Sequence, residues 1–183
     1  MIVLETERLR LRPLKSTDAP AVQQLAGDAD VALMTQSMPY PYPDGAAQEW
    51  IEIANIEIRM GRGYTFAVTC KPDQTFVGAM GIHLTGRTSD RAAKLAFWMG
   101  KPFWNQGYAL EAARCVMEFG FKNMEVQRIY ATCFGHDDRA RQTLEAVGMV
   151  HEVTLREHIL RDGVFHDRVY YAILRDEYDR RDS

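Results

Sequence analysis

The residues with the clearest chemical content lie in Trp104-Asn105-Gln106-Gly107-Tyr108-Ala109, where a glycine-containing loop joins an apolar strand to a helix. Such a loop leaves the first N–H groups of the helix unpaired and points the positive end of the helix dipole at its occupant. Both effects favour a phosphate or pyrophosphate without a dedicated lysine. The commoner phosphate motifs are absent: no G-x-G-x-x-G follows a strand and no G-x-x-x-x-G-K-[ST] occurs. That turns the reading away from ordinary dinucleotide and nucleoside-triphosphate sites. Candidates for proton transfer follow. Asp137 opens a helix, either as its N-cap or as a ligand. In Val153–Leu160 one alternate row reads Val153, Leu155, Glu157, Ile159. A carboxylate in an apolar row has a raised pKa and can act as a base. Alternatively, a two-residue turn at Asp162-Gly163 pairs Glu157 with Arg168 and His158 with Asp167 across a hairpin. His158 and Asp137 are further candidates for this role. Cys133 beside His136 has the residue types of a nucleophile and base, but a cysteine on an apolar strand is more often a small buried residue.

These residues need elements to hold them. Ala93–Met99 reads as the strand before the loop. Ala109–Lys122 reads as the helix after it, with Glu111, Arg114, Glu118 and Lys122 in one charged stripe and apolar residues elsewhere, the pattern of a helix lying on a sheet. Gln127–Phe134 is a buried strand, and Asp137 or Asp138 then caps a helix that runs to Val147 and stops at Gly148. Upstream, a strand covers Glu7 to Leu14. A helix starts near Ser16-Thr17-Asp18 with Pro20 in its first turn and runs to Ala26. A long connection with Pro39, Pro41 and Pro43 spans Asp28 to Asp44, and a helix follows to Arg59, ended by Gly61 and Gly63. Strands at Tyr64–Thr69 and Thr75–Leu84 and the final hairpin complete the list. This order predicts one α/β (α+β) domain, 1–183, with three layers (α/β/α) and a mixed, mostly antiparallel sheet of about seven strands.

Composition sets outer bounds. A chain of 183 residues with 46% hydrophobic and 26% charged residues is of ordinary globular type. A net charge of −3 without a basic run argues against nucleic acid. Arg8, Arg10 and Arg12 alternate with Leu9 and Leu11 and read as the solvated face of a strand. Three cysteines without C-x-x-C spacing suggest neither a disulfide framework nor a metal site. No signal peptide or membrane-spanning run is present, so the expected compartment is the cytoplasm and no membrane partner is expected.

The series strand, anion loop, helix, strand, capped helix, Glu145-Ala-Val-Gly-Met149 and hairpin resembles the GNAT N-acetyltransferases. Within them it is most similar to the ribosomal-protein alanine acetyltransferase (RimJ/RimL-like) branch. The shared stretches are Glu5-Thr-Glu-Arg-Leu-Arg-Leu-Arg-Pro-Leu14, Tyr40-Pro-Tyr-Pro43, the Trp104–Ala109 loop and Leu155-Arg-Glu-His-Ile-Leu-Arg-Asp-Gly163. The resemblance implies transfer of an acetyl group from acetyl-CoA to a primary amine, with no metal and with a homodimer allowed. It implies that Phe97, Trp98 and Met99 line the pantetheine arm, and that backbone groups of Asn105, Gln106, Gly107, Tyr108, Ala109 and Leu110, with Asp137, meet the cofactor. The chain departs from the family where a proton donor is usual, at Ala140 and Leu144, and where a strand glutamate is replaced by Lys94. The Met38–Pro43 segment and Trp50 either wall an acceptor cleft, with Asp28, Asp30 or Asp44 drawing in an amine, or simply cover the core. The implied acceptor is a peptide or protein N-terminus or a small amine. The competing readings are a non-catalytic coenzyme A-binding sensor or interaction protein, and a nucleotide phosphate-binding domain.

Overall fold

The computed structural model describes residues 2–87 and 90–181. Its strands are β1 (Leu4–Glu5), β2 (Leu9–Pro13), β3 (Gly63–Cys70), β4 (Phe76–Thr85), β5 (Ala92–Met99), β6 (Arg128–Phe134), β7 (Val150–Arg161) and β8 (Val164–Leu174). Its helices are α1 (Ala19–Ala26), α2 (Ala29–Met34), α3 (Ala46–Arg59), α4 (Tyr108–Asn123), α5 (Asp138–Ala146) and α6 (Arg175–Asp179). The eight strands form a single sheet in the order β1-β2-β3-β4-β5-β6-β8-β7. β5 and β6 run parallel, and every other neighbouring pair is antiparallel.

The expected seven strands are present, and the eighth is β1, which adds two rungs to β2 (Leu4↔Leu11, Glu5↔Arg10). Two residues are too few to show alternation, so this strand exists only through its partner. α2 lies inside the segment expected to be a plain connection. Asp28 caps it by accepting from the Asp30 N–H at 2.9 Å, and six residues are too few for a helical period to stand out.

Alternation along the strands sorts the two layers of helices. Ala67 and Ala79 point to one face, against Val22 and Ala26 of α1 and Ala47, Ile51 and Ala54 of α3. On the other face Leu11, Phe66, Met80, Ile82 and Leu95 pack with Ala113, Val116 and Met117 of α4. The close approach of α4 needs Gly120: a Cβ there would lie 2.3 Å from Ile82 Cδ1. The charged stripe read from the sequence faces outward, with Arg114, Glu118 and Lys122 exposed.

The row Arg8, Arg10, Arg12 is not uniformly solvated. Arg12 and Asp18 form a two-pronged pair, Nη1 to Oδ2 and Nη2 to Oδ1, both 2.8 Å, with side chains 14% and 7% exposed. Asp18 Oδ2 also accepts the Lys15 N–H at 2.8 Å, which fixes the entry to α1. Burial pushes the Asp18 carboxyl up, but the hydrogen bonds from Arg12 and Lys15 and the Arg12 charge outweigh it and hold it below its ordinary value. A folded-state value below the unfolded one means stability that is complete above about pH 5 and is lost as pH falls through the folded value. Removing one partner strands a buried charge, so Asp18→Ala should destabilise the fold by about 3–5 kcal/mol. Denaturant unfolding at pH 7 and pH 3 checks both points: the gap between wild type and variant should shrink at the lower pH.

Candidate active site

The parallel ladder between β5 and β6 is short: Ala92↔Arg128, Ala93↔Ile129 and Lys94↔Tyr130. Beyond Lys94 the strands part, because β5 stays on β4 as far as Met99 and β6 stays on β8 as far as Phe134. The wedge opens into a cavity of about 750 Å³, within the usual range for small-molecule sites of about 300–1,000 Å³. One side is lined by Gln36, Met38 and Trp50, the other by Gly107, Leu110, Ala140 and Thr143.

At the α4 end the loop leaves backbone N–H groups open towards the cavity. The first helical hydrogen bond is Glu111 N–H to Gly107 O at 3.0 Å, so the N–H groups of Tyr108, Ala109 and Leu110 precede it and have no helical acceptor. All three residues line the cavity. The loop turns through Asn105 at φ +60° and Gly107 at φ +79°, and a Cβ on Gly107 would meet Arg8 Nη2 at 3.3 Å. Arg8, just before β2, locks the turn: its Nε donates to Glu111 Oε2 at 2.7 Å and its Nη1 to Gln106 O at 3.0 Å. On the opposite flank the Arg139 guanidinium stacks 3.6 Å over the Trp104 ring, and Trp104 Nε1 donates to Met99 O at 2.8 Å. Two guanidinium groups and a helix N-terminus therefore converge on one stretch of backbone.

The far end of the cavity carries a group that the sequence reading missed. His83 on β4 lines the cavity, and its Nε2 lies 3.2 Å from Thr65 Oγ1. The ring occupies space vacated by two glycines on the same face: a Cβ would sit 2.3 Å from His83 Nδ1 at Gly63 and 2.5 Å from Nε2 at Gly81. Burial pushes the imidazole below its ordinary value; Lys94 pushes the same way and Glu57 opposes. His83 is therefore neutral at pH 7 and able to take a proton. Lys94 is its direct partner across the β4–β5 ladder. The available signal was the parity of Ala79, Gly81 and His83, which places a histidine on an inward row. Its value depends on the β3 pairing, which sequence spacing does not reveal.

A family model described as "Acetyltransferase (GNAT) domain" matches residues 8–150. The chain is a GNAT acetyltransferase. As such it is an acetyl-CoA-dependent acyltransferase. It is 27% identical over 179 residues to the uncharacterized N-acetyltransferase YnaD of Bacillus subtilis, covering 96% of this chain and 99% of that one. It is 23% identical over 132 residues to the [ribosomal protein uS5]-alanine N-acetyltransferase of Escherichia coli, covering 72% and 68%. The solved structure of RimL, a ribosomal L7/L12 alpha-N-protein acetyltransferase in complex with coenzyme A, superposes with a TM-score of 0.86 at 16% identity, covering 96% and 99%.

In this acetyltransferase Phe97, Trp98, Met99, Asn105, Gly107, Tyr108, Ala109, Leu110 and Asp137 all line the cavity. Gln106 does not; its carbonyl is taken by Arg8 and its Nε2 donates to Pro102 O at 2.8 Å. Asp137 is buried and is the N-cap of α5, accepting the Ala140 N–H at 3.1 Å. Met38, Tyr42 and Trp50 also line the cavity, whereas Asp28, Asp30 and Asp44 do not. Asp28 caps α2 and Asp30 pairs with Lys101.

The expected hairpin register requires correction. The tight turn holds for Arg161↔Val164, Leu160↔Phe165 and Ile159↔His166, but the next rung is Leu155↔Arg168. Residues 156–158 bulge against Asp167, with Glu157 at φ +50° and its N–H donating to Asp167 Oδ1 at 2.8 Å. The bulge breaks the alternation on which the apolar row rested. Glu157 and His158 are both exposed, and neither lines the cavity. Arg168 opposes Leu155 rather than Glu157.

Cys133 and His136 do not form a nucleophile pair. His136 is exposed and stacks on Phe134, with ring centroids 5.2 Å apart. The Cys133 thiol is pushed up to about 12 by burial and by the nearby Asp137 charge. Only the thiolate is nucleophilic. At pH 8, Cys133 should therefore resist an aromatic disulfide reagent in the folded protein and titrate only in denaturant; modified-peptide mapping by mass spectrometry distinguishes it from the half-buried Cys70 and Cys115.

Proposed function

We propose that this chain acetylates a primary amine, of a peptide or protein N-terminus or a small molecule, by direct attack in a ternary complex, with His83 as the proton acceptor. The observation that carries the reading is a single cavity that joins an anion-binding helix terminus at one end to a neutral, glycine-seated histidine at the other.

Acetyl-CoA supplies an acyl group already activated as a thioester. The donor set fits it: the N–H groups of Tyr108, Ala109 and Leu110, the α4 dipole and the Arg8 and Arg139 guanidiniums suit its phosphates. The parted inner edges of β5 and β6 suit an amide-bearing arm, since extended backbone can pair with amide groups as another strand would. The backbone of Phe97, Trp98 and Met99, together with Asp137, contributes the walls of this half. The named relatives that act on ribosomal proteins support a protein or peptide amine as one acceptor class.

An amine attacks only as the free base. The proton lost by the ammonium passes to His83 at Nε2, the ring nitrogen that shares a hydrogen bond with the Thr65 hydroxyl. The acetyl group moves to nitrogen as a C–N bond forms and the C–S bond breaks. On α5, Ala140 and Leu144 offer no hydroxyl to the departing sulfur. That absence is inexpensive, since an unperturbed thiol ionises near pH 8.5 and its thiolate is a competent leaving group.

Acetyl-CoA at 100 times its dissociation constant should add ~2.7 kcal/mol of stability, a rise of about 5–10 °C in Tm for a chain this size, with ATP giving no comparable shift. Gly107→Val should remove that shift. His83→Gln should lower kcat by ~10² to 10⁴ while the acetyl-CoA shift persists. In the wild type a kcat/KM limb should fall away below pH 6.5, and the variant should lack it. Unchanged turnover in His83→Gln would exclude the assigned role, and no acetyl-CoA shift would exclude the cofactor site.

A further inference from the structure

Resting on that reading of the site, we infer that the acceptor is a small amino-acid-like molecule: a primary amine with a carboxylate close to the nitrogen and an apolar side chain. The acceptor half of the cavity is graded from one end to the other. Along β5 the residues Lys94, Ala96 and Trp98 share a face, opposite His83, Gly81 and Ala79 of β4. The His83 ring covers Gly81, but Ala96 is exposed although its strand is interior, so the floor is open along β5 between the two ends. Four residue steps of extended chain lead from Lys94 to Trp98, about 13 Å.

The Trp98 end is apolar. Its indole packs against Trp50 of α3, with ring centroids 6.4 Å apart, and Tyr42 lies in the same cluster. The Lys94 end carries hydrogen-bond donors that lack acceptors. The Lys94 side chain has no hydrogen bond or ion pair among the described residues. Burial and the neighbouring Arg168 both push its ammonium below the ordinary value, the condition of a cation short of a counter-charge. Gln36 lines the same cavity: its Oε1 accepts from Thr132 Oγ1 at 3.3 Å, while its Nε2 is buried with no partner among the described residues. Arg161 holds this segment in place by donating to Thr35 O at 3.3 Å and Met38 O at 2.7 Å.

A buried donor without an acceptor is unfavourable, and it is the kind of group that a bound ligand satisfies. The acids among the cavity-lining residues do not answer these donors. Asp137 is committed to the Ala140 N–H, and Glu49 is exposed on α3. A carboxylate accepts from both Lys94 and Gln36. His83 lies directly across the ladder from Lys94, so the amine to be deprotonated sits near that carboxylate. A polyamine would place a second cation against Lys94 and Arg168. A peptide N-terminus replaces the carboxylate by a neutral amide and leaves Lys94 uncompensated.

The test is a panel of apolar L-amino acids, each compared with its decarboxylated amine, its carboxamide and a peptide beginning with the same residue, in the presence of acetyl-CoA. The amino acids should exceed their decarboxylated and amide forms in kcat/KM by on the order of 10- to 100-fold, the range for a charged hydrogen-bonding pair. Lys94→Met should erase that ratio, chiefly through acceptor KM, and Lys94→Arg should keep its sign. Equal or better use of the decarboxylated amine or the peptide overturns the inference. If no member of the panel is acetylated, thermal melts decide: stabilisation by the amino acids but not by their decarboxylated amines upholds it, and stabilisation by neither overturns it. A persisting acetyl-CoA shift in that last case leaves the acetyltransferase reading intact.

Discussion

A sheet whose neighbouring strands are bonded along their whole length has no room for a ligand in its middle. Here the parallel pairing of β5 with β6 stops after three rungs, and the cavity and its contents depend on that early stop. Each strand leaves its neighbour because it is better held on its other side. β5 is paired to β4 over eight rungs and β6 to β8 over seven. The wedge is thus enforced by two antiparallel ladders and does not rely on strain at the point of parting. It also exposes two lengths of backbone whose N–H and C=O groups are obliged to find partners.

The ends of the wedge are held by charged groups that reach across the fold. Arg8 ties β2 to the loop before α4 through Glu111 and Gln106, so the helix terminus is fixed to the sheet by a partner nearly a hundred residues away. Arg161, at the tip of the hairpin, holds the segment after α2. Arg12 and Asp18 set the start of α1, whose Val22 lines the cavity. None of these contacts touches the chemistry, yet each places a wall of the site. The low exposure of the Arg12–Asp18 pair makes it the most demanding of the three, since neither charge has water to fall back on.

Much of this was legible in the sequence because it is local. A strand, a loop with glycine at a left-handed position and an amphipathic helix follow one another without a break, so the strand, turn and helix start could be read from Ala93 to Lys122. The long elements with a clear period were placed well for the same reason. What could not be read was non-local or irregular. Glu157 looked inward because alternation was extended through residues 156–158, where a bulge cancels it. His83 looked ordinary because its setting depends on glycines that lie two and twenty positions away. Lys94 was noted as a departure from the family pattern, but the groups that set its surroundings come from distant segments, Arg168 of β8 and Gln36 after α2 on the same cavity wall.

The seat of His83 has a consequence for how this site can change over time. The imidazole fills the room left by the absent side chains of Gly63 and Gly81, so positions 63, 81 and 83 share one volume. A larger residue at either glycine is tolerated only if position 83 becomes smaller, and a smaller residue at 83 leaves a hollow that a new side chain at 63 or 81 can fill. Changes at these three positions are therefore strongly epistatic. A lineage that replaces His83 passes through paired substitutions, and a library that varies one position at a time will find this corner of the sheet closed.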